Sequence, residues 1–544
     1  MKIDRALASL KGIGTPECEK WRERLLIRHA GIAHHLAKEY LLINKSQDYV
    51  AANRWLESTT QNLKLGHTGL SLTGTIEELT DYCLAKAKKT QNQIYNTARS
   101  AGKGATPEIM REVVNYAGVA FPLVPGEYTN DEMIAALARV CDERWWKRQL
   151  RPKQSRELED FLRSLGGINK RQEIYISDFS LRRRLLQKQQ NKRLLDKLEA
   201  ENQEGQVYTL SELAELSPSN PVIRRAELMV RLRGFENLAN NSPDDFQGMF
   251  YTLTCPSTFH AAHVRGVKNK KYNGSTVRDA QDHLNTVWQR SRAALKRQGI
   301  TLFGMRVVEP HHDGTPHWHL LLFMPTDQAE QATEIIRHYA YEMDGDEPGA
   351  AKHRFTAVEI DPNRGSATGY IAKYIAKNID GEHVGTDNYG KDAIESAIRI
   401  EAWASTHNIR QFQQIGGASI TVWRELRRLD QSGIDKSLLN DLIVAADEGD
   451  WEKYTMLMGG VNCLRKDRPV RPMMIEKAKT NQYGELVKVI KGIWCGSRAV
   501  ITRLHEWTVT LRKDESGNDS EDGVGFGSAL STAPPAHVPL EFCQ

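Results

Sequence analysis

The sequence predicts an α+β fold: a central antiparallel sheet with helices packed on it, preceded by a largely helical N-terminal region. Three observations carry this. Residues 249–379 run in the order βαββαβ and then a helix, the split βαβ arrangement. Residues 1 to about 240 read mostly as helix, in stretches such as CEKWRERLLIRHAGIAHHLAKEYLL. At 544 residues the chain is too long for one ordinary core, and with 40% hydrophobic and 26% charged residues it has the composition of globular protein.

The elements of the βαββαβ stretch follow from local patterning. MFYTLTCP (249–256) is rich in β-branched and aromatic residues and reads as a strand. Residues 275–297 have helical periodicity, with Val277, Ala280, Leu284, Val287 and Trp288 on the buried side. LFGMRVVE (302–309) and HWHLLLFM (317–324) are strands, and the Asp-Gly turn between them makes a hairpin. Residues 328–343 form a second helix, RFTAVEID (354–361) a strand, and GYIAKYIAKNI (369–379) a third helix. Residues 391–430 continue as helices, and 436–512 mix helix with strands such as GELVKVIKGIW. From Asp514 a Gly/Ser/Pro-rich tail has the composition of disorder. The expected divisions are a helical region of unassigned role (1–140), a basic helical region (141–240), the sheet domain (241–430), an α/β accessory region (431–512) and the tail (513–544).

Composition narrows the function classes. Seven scattered cysteines with no CxxC argue for reduced thiols rather than a disulfide frame or a zinc finger. The first residues lack the apolar core of a signal peptide, and no apolar run reaches membrane length, so no membrane partner is expected. No GxxxxGK[ST] occurs, which argues against a built-in P-loop motor. Net charge is only +5, yet residues 144–197 hold 16 Lys/Arg against 6 Asp/Glu. Clusters such as Arg182-Arg183-Arg184 and Lys192-Arg193 would neutralise phosphates and release counterions, so this stretch is the expected DNA-binding region.

The hairpin carries a metal-ligand pattern. His317 and His319 are two apart on a strand and so project from the same face. Imidazole is the commonest nitrogen ligand for divalent transition metals. An odd-length loop centred on Asp313 sets Glu309 opposite His317 on that same face. Two nitrogens and a carboxylate leave coordination positions open, as in a catalytic rather than a closed structural site. His311 and His312, in the turn, are rival third ligands.

The last helix carries a nucleophile pattern. At ~100° per residue, Tyr374 falls near 40° from Tyr370, with Lys377 and Lys373 flanking them, while Ile371, Ile375 and Ile379 face away. One side docks on the sheet; the other presents two phenols, ~6 Å apart along the axis, between two ammonium groups. A phenol titrates near pH ~10 and needs assistance to attack, which nearby lysines and a metal would give.

Three segments together, FYTLTCPS (250–257), EPHHDGTPHWHLLLF (309–323) and GYIAKYIAKNID (369–380), resemble the three motifs of HUH endonucleases, here with Trp318 between the histidines. The tandem tyrosines, with WWKRQLR (145–151) and SNPVIRRAELMVRLRGFE (219–236), resemble the replication gene A proteins of tailed phages, a likeness spanning roughly 140–430. The resemblance implies a Rep-like nuclease core that nicks one strand at a replication origin. A tyrosine would join the 5′ phosphate, leaving a 3′ hydroxyl for rolling-circle synthesis, and the second tyrosine would later close the released strand. It implies His317, His319 and Glu309 as ligands of Mg2+ or Mn2+, and Tyr370 and Tyr374 as nucleophiles. Lys373 and Lys377 become assisting bases or phosphate contacts. It also implies origin DNA and a host helicase with the replication machinery as partners, in the cytoplasm of the bacterial host. The rivals are another HUH enzyme (plasmid initiator, relaxase or transposase) and a noncatalytic DNA-binding regulator with a structural metal.

Overall fold

The computed structural model describes residues 2–101, 111, 114, 118–123, 126–363, 365–382, 385–387, 389–429 and 437–512. The tail expected from Asp514 lies outside the described residues. The fold is α+β, with a largely helical N-terminal part. Helices there begin at oxygen-bearing caps that satisfy free N–H groups: Thr15 ahead of Pro16, Asp48 ahead of Tyr49, and a capping box of Thr129 with Glu132. Their apolar faces meet in one cluster that includes Leu26, Leu36 and Leu56. The basic helix Glu143–Ser164 joins that cluster through Trp145, Trp146, Leu150, Leu158 and Leu162.

The second basic helix, Asp178–Asp196, ends inside the region expected to be helical to about residue 240. Leu198–Asn202 is instead a strand, β1, paired with β2 (Val207–Thr209) on one side. On its other side lies a strand from far along the chain, β11 (Trp507–Leu511). LEAEN has no strand propensity of its own; its alternation buries Ala200 against Leu210 and Leu213, and pairing overrides propensity.

The central sheet has the order β6-β3-β5-β4-β7 and is antiparallel throughout. Its strands are β3 (Phe246–Thr254), β4 (Phe303–Pro310), β5 (Pro316–Pro325), β6 (Phe355–Glu359) and β7 (Phe412–Ile415). The intervening helices are Val277–Arg297, capped by a Thr276–Asp279 box, and Ala329–Tyr341. The expected order of strands and helices matches. β7 falls where only helices were expected, because four residues with two glutamines at their centre become a strand only by pairing with β4. β4 passes so close to β5 at Gly304 (φ +152°) that a Cβ there would run into the Leu321 carbonyl.

Both faces of the sheet are covered, which is why every residue of β4 is buried. One face carries Tyr251, Leu253, Val308, Trp318, Leu320 and Leu322 under the two intervening helices. The other carries Phe250, Phe303, Met305, Val307, Leu321 and Phe323 under the helix Ala367–Ile379, through its Ile371 and Ile375. The helix Pro221–Asn241 and the C-terminal helices Leu438–Asp447 and Trp451–Leu457 complete that second layer. A meander of β8 (Val470–Glu476), β9 (Lys488–Cys495) and β10 (Arg498–Ile501) adds Val470 and Ile493 to it. No helix among the described residues is long and apolar enough to cross a membrane.

Candidate active site

Alternation along β4 and β5 decides what the site contains. Phe303, Met305, Val307 and Glu309 share one face of β4, and His317, His319, Leu321 and Phe323 share the same face of β5. The apolar members form core; at one end of the face the pattern turns polar, and Glu309 pairs in register with His317. The five-residue turn His311–Thr315 closes through His311 N–H donating to the Thr315 carbonyl (2.7 Å).

The Nε2 atoms of His317 and His319 are 3.0 Å apart, and Glu309 Oε2 lies 4.0 Å from the first and 3.6 Å from the second. The three side chains form a buried group able to hold a metal ion. Bonds of ~2.1 Å at a right angle set two ligand nitrogens ~3.0 Å apart, so the spacing fits a cation shared by both imidazoles. His319 turns its Nδ1 to the Thr252 hydroxyl (3.1 Å), which aims Nε2 inward. Burial, then His311 and His319, hold His317 well below the usual imidazole range, the neutral form that ligation needs. Burial alone would raise the Glu309 carboxyl; the Lys377 ammonium and the His319 contact overcome it and bring it down to about 2. Of the rival ligands, His311 stacks near His317 (ring centres 4.2 Å apart) and His312 gives its carbonyl to Tyr175 N–H (3.3 Å).

The tyrosine helix, Ala367–Ile379, is held at both ends by one neighbour. Ser366 accepts from Gly369 N–H, and Glu236 of Pro221–Asn241 accepts from Ala367 and Thr368 N–H (2.6 and 3.1 Å). Arg225 of the same helix pairs with Asp380 at 2.8 Å. So clamped, the helix lays Tyr374 over His319, ring centres 4.1 Å apart. Tyr370, one turn earlier, is exposed at 42%. Burial, then Glu309 and Tyr370, push the Tyr374 phenol up to about 12.

The two lysines do not share one environment. Lys373 is exposed, its Nζ 5.0 Å from the centre of the Tyr374 ring. Lys377 was expected on the presented face beside the phenols; it is buried and donates to Glu309 Oε2 at 3.1 Å. The reason is the carboxylate below it: a buried anion draws the ammonium down from the helix face. Three further residues escaped sequence reasoning. Phe250 stacks on both His319 and Tyr374, at 5.6 and 5.5 Å between ring centres, joining the imidazole and the phenol through one ring. Asn378 donates to Glu309 Oε1 (2.6 Å) and accepts from Gln411 (3.2 Å). Phe250 and Thr252 could have been found by continuing the strand alternation into 250–254; Asn378 could not, since its partner is 69 residues away.

The basic stretch 144–197, expected to meet DNA, is partly consumed inside the molecule. Arg163 is buried and donates to the Asp313, Ser275 and Phe259 carbonyls and to the Thr315 hydroxyl, clamping the turn. Arg184 pairs with Glu401, and Arg183 donates to the Gly74 carbonyl. Arg182, Lys192 and Arg193 remain exposed. A second His/Glu group, His34, His35 and Glu173, is also close enough to hold an ion, but Lys2 and the Asp178 N–H already occupy the Glu173 carboxylate.

Over residues 77–382 the sequence matches the family described as bacteriophage replication gene A protein (GPA). It is 41% identical to the replication gene A protein of Escherichia phage 186 across 71% of this chain and 57% of that protein. It is 40% identical to the replication protein of Haemophilus phage HP1 across 74% of this chain and 53% of that one. A probable replication endonuclease from a prophage-like region of Salmonella typhimurium is 34% identical across 66% of this chain and 46% of its own length. The chain thus spans about half the length of these relatives. No solved structure matches it.

Proposed function

Since the chain belongs to the bacteriophage replication gene A protein family, we propose that it is the nuclease of phage replication initiation, nicking one DNA strand at the origin by tyrosine attack. The observation that carries this is the tyrosine helix laid across the His317–His319–Glu309 group, with the Tyr374 ring tilted over the His319 imidazole. When bound between these three side chains, a divalent cation, Mg2+ or Mn2+, supplies Lewis-acid stabilisation of charge on the scissile phosphate.

The chain's own residues do the rest. A phenol oxygen of Tyr370 or Tyr374 forms a bond to phosphorus as the bond from phosphorus to the 3′ oxygen breaks. The phenol gives up its proton and the departing 3′ oxygen takes one up, leaving a 5′-phosphotyrosine link and a 3′ hydroxyl. One phosphodiester replaces another, so the step needs no nucleotide hydrolysis. The tyrosine left free attacks after a round of synthesis, and the displaced strand is rejoined. Lys373, exposed beside Tyr374, contacts the phosphate, whereas Lys377 and Asn378 hold Glu309 in its ligating orientation. Strand separation falls to a host helicase, and the enzyme works on origin DNA in the bacterial cytoplasm.

Incubation with labelled single-stranded origin DNA and Mg2+ or Mn2+ tests the reading. A protein–DNA adduct that survives denaturation and disappears with chelator is the expected result. DNA retained without any covalent adduct would make the chain a binding protein instead.

A further inference from the structure

A cavity of about 530 Å3, with no residue of the tyrosine helix in its lining, lies where the N-terminal helices, the two basic helices and the end of the helix Ala393–His407 meet. Arg151, Arg183 and Arg184 line it, with Gln187, Gln190 and the start of the helix Ile76–Ala101. The three guanidiniums differ in what balances them. Arg184 is paired with Glu401, and Arg183, donating to the Gly74 carbonyl, lies 4.6 Å over the Phe179 ring. Arg151 is half-buried and has no hydrogen bond or ion pair with any described residue; the charges that bear on it are the like-charged Arg184 and Arg183. Glu77, at the rim, is the acid of the lining.

We infer that this cavity is a phosphate-binding site for the backbone of single-stranded DNA, with Arg151 as the cation its ligand completes. A half-buried guanidinium without a counter-charge gains a charge-assisted partner when an anion arrives. A planar fork matches two phosphate oxygens, and the Arg183 guanidinium lies over the Phe179 ring in the same lining. The volume suits a nucleotide-sized ligand, which selects a single strand threaded past the helices over a duplex laid on them. Burial, then the neighbouring guanidiniums, depress Arg151 and Arg183, the latter to about 10, with Glu159 opposing the shift at Arg183. The inference rests on the proposal that the chain acts on DNA, and it gives the basic stretch a particular place rather than a diffuse charged face.

The test uses the full chain and a fluorescein-labelled dT 30-mer, with anisotropy measured across a KCl series. R151A is expected to weaken binding about five- to tenfold and to lower the salt slope by roughly the ~0.7 that one lost phosphate contact carries on a single strand. R151K should keep much of the slope, since it keeps the charge. Thermal unfolding of R151A should match the wild type, which separates loss of a site from loss of the fold. Unchanged affinity and slope in R151A would overturn the inference. So would a stabilisation by inorganic phosphate that R151A abolishes while 30-mer binding stays intact, because the cavity would then serve free phosphate. Adduct formation by the wild type on a short origin oligonucleotide reads the catalytic proposal separately: weak 30-mer binding by R151A alongside an absent wild-type adduct would retire the nuclease reading and leave the site standing.

Discussion

Each site residue is defined by what it touches. His317 and His319 face one another across 3.0 Å with Glu309 beyond, so removing both imidazoles deletes two of three donors. The variant with His317→Ala and His319→Ala is expected to lose Mn2+ binding by calorimetry and to nick at least about a hundredfold more slowly. Its far-UV circular dichroism should stay unchanged, since the strand's apolar residues hold the sheet. Undiminished nicking would take the metal out of the account. The tyrosines differ in exposure, Tyr370 open and Tyr374 tucked over His319. Tyr370→Phe and Tyr374→Phe should each retain some adduct formation on short single-stranded DNA, unequally, and should fail in strand rejoining. The double variant should form none. Peptide mass mapping that finds DNA on Tyr389 or any other tyrosine would show that the nucleophile lies elsewhere.

Between elements, the turn joining β4 to β5 is where the strands that carry Glu309, His317 and His319 are held in register. Arg163 reaches it from the basic helix with a single fork, donating to the Asp313 carbonyl at 3.0 Å and to the Ser275 carbonyl and Thr315 hydroxyl at 2.7 Å each. An ammonium cannot reach these acceptors from one point, so Arg163→Lys leaves buried carbonyls without donors. The expected cost is about 2–4 kcal/mol in urea unfolding, with a parallel drop in nicking as Glu309 and His317 lose their alignment. A variant as stable as the wild type would mean that the turn holds itself. The tyrosine helix shows the same logic: Glu236 and Arg225, one on each end, come from a helix more than a hundred residues earlier.

Across the whole molecule, the N-terminal helices and the sheet meet at a seam rich in positive charge. His407 ends its helix there, buried, with Nδ1 lacking a partner among the described residues. Burial, then Arg163, Arg156 and Arg278, hold it down to about 3. The unfolded chain takes up this proton below pH ~6.5 and the folded chain does not, so the stability is full above that pH and is lost as pH falls toward 3. Between pH 7.5 and 5 the wild type should therefore lose about 2 kcal/mol more than His407→Gln, read by urea unfolding at each pH. Parallel losses in the two proteins would place the titrating group elsewhere.

What the sequence determined by itself is whatever depends on neighbours in the chain. The period-2 runs set the order of strands and intervening helices, and the i, i+2 spacing put His317 and His319 on one face. The Asp-Gly turn brought Glu309 opposite His317, and the i, i+4 spacing put Tyr370 and Tyr374 on one side of a helix. Where the answer depended on a distant partner, local pattern gave the wrong one or none. LEAEN became β1 because β11 lay ready to pair, and Gln413 and Gln414 became β7 against β4. Lys377 turned from the expected outward face to Glu309, and Arg183 and Arg184 turned inward to Gly74 and Glu401. The physical reason is common to all of these. A strand edge or a charged side chain can be satisfied by several partners, and which one it meets is decided by the packing of elements far apart in sequence, since burial makes an unmet partner costly.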